Sequence, residues 1–178
     1  MIHNPEIQKK IHEEIDRVIG KEKNIVMEDQ AKLPFFNACL QEVQRITVIV
    51  PVNLFHRTVE EVIIDGYIIP KDTALVPQFE MVHKDEKQFP DSWKFNPARF
   101  LDANNNFIKD DRVTPFSLGK RACAGEALAR MELFMFAANF FQHFEFQPEN
   151  PTKLPPFKFN YTLAKHIKPF NCRIIDRK

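Results

Sequence analysis

The sequence predicts a mainly α fold carrying small β-sheets (α+β), built as one piece over residues 1–178. Three observations carry that prediction. Apolar residues recur at helical spacing in three separate segments. Between the second and third of these, a Val- and Ile-rich stretch is cut by Asp65-Gly66, a dipeptide that marks hairpins. The composition is globular, with 44% hydrophobic and 28% charged residues, and the length suffices for one domain with a core.

The first helix starts at Asn4-Pro5, with Pro at the first helical position and Glu6 in the first turn. Ile7, Ile11, Ile15, Val18 and Ile19 form its apolar side, and Gly20 stops it. Lys9, Lys10, Glu13, Glu14 and Arg17 read as its solvated side. After a connector with one short turn near Glu28–Lys32, a second helix is expected from Pro34 to Thr47, with Phe36, Leu40, Val43 and Thr47 on one side. Three or four short strands follow between Asn53 and Glu80, turning at Asp65-Gly66 and at Pro70-Lys71-Asp72. Residues 84–114 hold Pro, Asp and Asn at turn-forming intervals, together with Phe89, Trp93, Phe95, Phe100 and Phe107. That pattern predicts a coil packed by its own aromatics. The longest helix is expected at 125–142, apolar on most of its circumference through Leu128, Met131, Leu133, Phe134, Phe136, Phe140 and Phe141. Glu126, Arg130 and Glu132 argue against its spanning a membrane. The tail, broken by Pro148, Pro151, Pro155 and Pro156, reads as a hairpin or two arranged with the helices around a small sheet.

Bulk properties exclude several functions. Lys and Arg number 25 against 24 Asp and Glu, which gives nucleic acid nothing to bind. Cys39, Cys123 and Cys172 are odd in number and widely spaced, so they form no disulfide framework and no zinc cluster. No stretch has the roughly 18 consecutive apolar residues of a membrane span. The 18 Phe beside 2 Tyr and 1 Trp suit a large apolar core or the lining of a bulky flat ligand.

The chemistry concentrates in Phe116-Ser117-Leu118-Gly119-Lys120-Arg121-Ala122-Cys123-Ala124-Gly125. Cys123 stands just before the long helix, where free N–H groups favour a thiolate, and Arg121 adds positive charge. Gly119 permits a tight turn, Gly125 permits close approach of backbone to something flat, and Phe116 can pack beneath it. The residues alone leave three uses open: a buried structural cysteine, a nucleophile served by a distant base, or a rigid thiolate with one face free. The segment as a whole resembles the haem-thiolate signature of the cytochrome P450 family, Phe-x-x-Gly-x-Arg-x-Cys-x-Gly, at Phe116, Gly119, Arg121, Cys123 and Gly125. Glu42-Val43-Gln44-Arg45 resembles that family's ExxR element, and Phe95-Asn96-Pro97-Ala98-Arg99-Phe100 its Pro-Glu-Arg-Phe region, with Ala98 departing from the usual Glu. The stretch 50–73 is similar to the animal microsomal branch, with Phe55 where Pro is common.

The resemblance covers essentially the whole chain. It implies the carboxy-terminal, haem-thiolate part of the fold, residues 1–178 being a partial domain in which the amino-terminal part, the membrane anchor and the central oxygen-activating helix are expected to be absent. Cys123 would be the axial thiolate and metal ligand of haem b. Arg121 and His56, with Arg57 beside it, would hold the propionates. Phe116, Gly119 and Gly125 would shape the haem contact. Glu42, Arg45 and Arg99 would form a structural triad pinning residues 84–114. The implied function is a monooxygenase acting on a lipophilic small molecule at the cytoplasmic face of the endoplasmic reticulum membrane. NADPH would serve it indirectly, through a flavoprotein reductase. Residues 50–55 are the substrate-contact candidates, and Lys84, Lys87, Lys120 and Arg130 the candidates for reductase docking. Two other readings are carried: a haem-binding or interaction module without turnover, and a peroxide-driven lipid-modifying enzyme of the same fold.

Overall fold

A computed structural model describes residues 1–177. Four α-helices and eight short strands follow in chain order: α1 (Pro5–Val18), α2 (Pro34–Thr47), β1 (His56–Arg57), β2 (Val62–Ile64), β3 (Tyr67–Ile69), β4 (Ala74–Leu75), α3 (Phe79–His83), α4 (Glu126–His143), β5 (Phe144–Pro148), β6 (Phe159–Tyr161), β7 (Lys165–Ile167) and β8 (Cys172–Asp176). The strands pair antiparallel as β1–β4, β2–β3, β5–β8 and β6–β7. The architecture is therefore mixed, mainly helical with small sheets. In place of one small sheet, four two-stranded ribbons flank the helices.

α2 is the central element. On one side Phe36 and Cys39 meet Ile11 and Ile15 of α1 and Phe134 and Ala138 of α4. The Phe36 and Phe134 rings stand edge to face at 5.9 Å, an arrangement aromatic pairs prefer. On another side, Ala38 packs with Phe89, Phe100 and Val113 of the coil. The coil thus uses Phe89 and Phe100 as expected, with Phe107 packed against that cluster. Trp93 departs from the expectation: it is exposed, with Lys84 Nζ 4.0 Å from its ring centre.

Three further expectations need correction. The buried residues of α2 coincide with its apolar periodic set only at Phe36; they also include Gln41, Glu42 and Arg45, while Leu40, Val43 and Thr47 are only half-buried. Charged groups with complete hydrogen bonding can occupy a core, and apolar periodicity does not register them. Glu14 is not solvated but buried. Its two carboxylate oxygens accept from the N–H groups of Phe35 and Phe36 at 2.9 and 2.8 Å, so α1 caps the start of α2. Burial raises the Glu14 carboxyl pKa, and these two backbone donors pull it back. Finally, α3 begins at the end of the stretch read as strands and runs to His83, where no helix was expected; five residues are too few for a helical period to stand out.

The hairpin follows from its turn. Asp65 and Gly66 both take positive φ, 49° and 82°, as a two-residue loop between twisted strands requires. Strand β5 continues directly from α4, and Arg177, beyond β8, bonds back to the carbonyls of Phe141 and Gln142 and to Asp16. The segment after β8 is thereby tied to both α4 and α1.

Candidate functional site

The cysteine turn is built by backbone geometry. Ser117 and Gly119 both take φ of +69°, a region that favours Gly and costs a side-chain-bearing residue about 1–3 kcal/mol. Ser117 is held there from outside the turn, because Asn53 Nδ2 donates to its Oγ at 3.0 Å. A single helical turn at Gly119–Arg121 then brings the chain back, and Cys123 N–H donates to Phe116 O at 2.8 Å. Glu126 N–H donates to Cys123 O at 3.3 Å, which joins the turn to α4. Gly125 caps α4 at its start, so Cys123 lies two residues before the cap and outside the helix proper. A Cβ at Gly125 would stand 3.9 Å from Cys123 Sγ.

Of the three thiols only Cys123 is exposed. Cys39 is buried in the core, and burial drives its thiol pKa far upward. Cys172 is half-buried on β8. Beside the turn lies a cavity of about 600 Å³ lined by Asn53, Leu54, Phe55, His56, Arg57, Lys120, Arg121 and Ala122. His56 and Arg121, far apart in sequence, thus share one cavity wall. Leu54, Phe55 and Leu118 are exposed nearby in sequence, giving the region an apolar component. The segment 49–55 is aimed into this region by Val48, which ends α2 with φ of 40° although it is β-branched and buried.

Behind the turn, α2 carries a fully buried ion pair. Arg45 Nε and Nη2 donate to the two carboxylate oxygens of Glu42 at 2.6 and 2.8 Å. Arg99 Nε reaches Glu42 Oε1 at 3.2 Å, and the N–H of Asn96 reaches the same oxygen at 2.9 Å. Arg45 also donates to the carbonyls of His83 and Lys94, and Arg99 to those of Pro90 and Asp91. The three residues therefore meet, and they bind residues 83–99 to α2. Sequence reasoning missed His83, which is fully buried, accepts from Thr114 N–H at 2.9 Å through Nε2, and lends its carbonyl to Arg45.

The four basic residues expected on a docking face divide. Lys87 and Lys120 are exposed. Lys84 is mostly covered, paired with Glu80 and over Trp93. Arg130 donates to Glu126 and Gln44 and lies over the Phe116 ring. Among the described residues no group of His, Cys, Asp or Glu could hold a bare metal ion, and no helix is long and apolar enough to cross a membrane.

A lone exposed thiol on a rigid turn, ahead of a long apolar helix and backed by a buried ExxR pair, is the pattern of the haem-thiolate proteins. A sequence model described as cytochrome P450 matches residues 1–174, and the chain belongs to the cytochrome P450 family. It is similar to a probable cytochrome P450 CYP36A1 of Caenorhabditis elegans, 45% identical over 178 residues, covering 99% of this chain and 36% of that one. It is also similar to cytochrome P450 2D26 of Rattus norvegicus (48% over 177 residues, 99% and 35%) and cytochrome P450 2U1 of Homo sapiens (42% over 176 residues, 98% and 32%). The chain thus spans about a third of the length of these curated relatives.

Proposed function

We propose that this chain is the haem-thiolate part of a monooxygenase that inserts one atom of dioxygen into a lipophilic organic substrate. Electrons would come from an NADPH-dependent flavoprotein reductase. The full-length protein would work at the cytoplasmic face of the endoplasmic reticulum membrane, as the animal microsomal relationship suggests. The observation that carries the reading is the single exposed thiol, Cys123, fixed on a backbone turn beside a cavity that His56 and Arg121 both line.

The residues present fit haem b. A thiolate ligand needs a sulfur that is accessible and fixed in direction, and Cys123 is exposed while its N–H is held by Phe116 O. Two propionates need cationic or hydrogen-bonding donors, and His56, Arg57, Lys120 and Arg121 line one cavity. A flat macrocycle needs apolar contact and little obstruction; Leu54, Phe55 and Leu118 supply the first, and Gly125, lacking a Cβ, the second. Haem held by a thiolate supplies reductive activation of dioxygen, the chemistry the cofactor brings and the protein tunes. The chain's own contribution is positional. Cys123 would anchor the iron, Arg121 and His56 would orient the macrocycle, and residues 50–55 would edge the substrate space. Glu42, Arg45 and Arg99 would act in folding, keeping the coil in place behind the turn.

The test is Cys123→Ala in haem-loaded protein. The ferrous carbon monoxide complex should lose the long-wavelength Soret band of thiolate haem, while Cys39→Ala and Cys172→Ala keep it. A band that survives Cys123→Ala overturns the proposal.

A further inference from the structure

We infer that Arg130 is a positioning residue for the thiol, clamping both ends of the cysteine turn to α2. This rests on the reading of Cys123 as the iron ligand and adds to it a residue outside the signature. Three contacts define the clamp. Arg130 Nε donates to Glu126 Oε1 at 2.8 Å, Nη1 donates to Gln44 Oε1 at 3.1 Å, and the guanidinium carbon lies 5.1 Å from the centre of the Phe116 ring.

Each partner has a defined place. Phe116 is where the turn begins, and its carbonyl receives the Cys123 N–H. Glu126 is where the turn ends, and its N–H donates to Cys123 O. Gln44 is on α2, one residue before Arg45 of the buried ion pair. One guanidinium therefore touches the entry of the turn, its exit and the helix behind it.

Charge alone does not account for this arrangement. Arg130 and Glu126 are 36% and 35% exposed, and a solvent-screened pair four residues apart on a helix contributes little. What sets Arg130 apart is shape. Its planar fork donates in two directions while its face covers an aromatic ring, which a lysine ammonium cannot reproduce.

The full 178-residue chain carries the test in two arms. The first, without haem, follows hydrogen exchange of the Cys123 amide, with the Cys39 amide inside α2 as internal reference. Arg130→Met and Gln44→Leu should each speed exchange at Cys123 about tenfold, as a local opening does, and leave Cys39 unchanged. Arg130→Lys should behave like Arg130→Met. The second arm reads the ferrous carbon monoxide spectrum of haem-loaded chain, where the same variants should lower the share of the thiolate-type band. Unchanged exchange at Cys123 in Arg130→Met overturns the inference. So does wild-type behaviour in Arg130→Lys, which would reduce the role to charge. Equal acceleration at Cys39, or general unfolding of both variants, would make the residue one of overall stability and also overturns it. Persistence of the band in Cys123→Ala would remove the iron-ligand reading and leave the exchange arm to stand by itself.

Discussion

Arg45 is fully buried and spends its guanidinium on Glu42 and on the carbonyls of His83 and Lys94. Removing it would strand the Glu42 carboxylate without its main partner inside the protein. Arg45→Ala should therefore cost about 3–5 kcal/mol, read as a lowered denaturant midpoint and little haem-loaded protein. Normal stability with impaired catalysis alone would contradict a folding role. His83 next to it gives a pH signature. Burial, with help from the Arg45 guanidinium, pulls its pKa from 6.5 down to about 4. Thr114 N–H donates to Nε2, so the neutral ring carries its proton on Nδ1. Above pH 6.5 the ring is neutral in folded and unfolded chains alike, and its contribution to stability is complete. Between 6.5 and about 4 the unfolded chain takes up a proton that the folded chain refuses, so stability falls as pH falls, by up to on the order of 3 kcal/mol. His12, whose pKa is also lowered by burial, acts in the same direction. The diagnostic is thus the difference between wild type and His83→Gln, whose denaturation midpoints should converge between pH 7 and pH 5. Parallel midpoints would show that His83 does not titrate with folding. At this scale the ExxR spacing was legible in the sequence because both partners are charged side chains a fixed distance apart. His83 was not, because it joins the ion pair through a carbonyl, and every residue has one.

Helix α2 is started by another helix, which sequence alone could not reveal. Its start at Pro34 and its end at Thr47 match the pattern of proline and apolar residues. The residue before it, Leu33, offers no side-chain cap. Glu14 of α1 does that work from 21 and 22 residues away. Glu14→Ala would leave the N–H groups of Phe35 and Phe36 without that acceptor, and the buried one at Phe36 has no access to water. A loss of about 1–3 kcal/mol is expected, with amide exchange quickest to rise in the first turn of α2. Glu14→Gln, which keeps one good acceptor oxygen, should recover part of it. A loss spread evenly along α2 would point to packing in place of capping. The same lesson separates the elements that could be read from those that could not. The hairpin at Asp65-Gly66 and the long α4 announce themselves by local chemistry. The buried side of α2 reaches beyond Phe36 to Gln41, Glu42 and Arg45, whose partners are distant in sequence, and so the apolar pattern showed only part of it. The cysteine turn is intermediate: Gly119 was legible as a turn residue, while the Asn53 brace on Ser117 was not.

For the molecule as a whole, the decisive feature is that α4 has two apolar sides and buries one. Phe134 and Ala138 are fully buried against α1 and α2. Leu128, Leu133, Phe136 and Phe140 are exposed, Phe136 to 64% and Phe140 to 54%. A contiguous apolar surface of this kind drives association when nothing covers it. The isolated 178-residue chain should therefore self-associate with rising concentration, seen as an increasing weight-average mass in sedimentation equilibrium. The double substitution Phe136→Lys and Phe140→Lys should restore a monomer across the same range. It should also leave the denaturant midpoint within about 0.5 kcal/mol of wild type, because neither side chain contributes to the buried cluster. If wild type stays monomeric throughout, this face is not the driving surface. If the double variant associates as before, the exposed Ile63, Tyr67 and Ile68 of the β2–β3 hairpin become the surface to change next, since they form another exposed apolar group. Association through α4 would leave the cysteine turn accessible only as far as the paired helices allow. The alkylation rate of Cys123 in monomer and associated species would then report how close the covered face comes to the thiol.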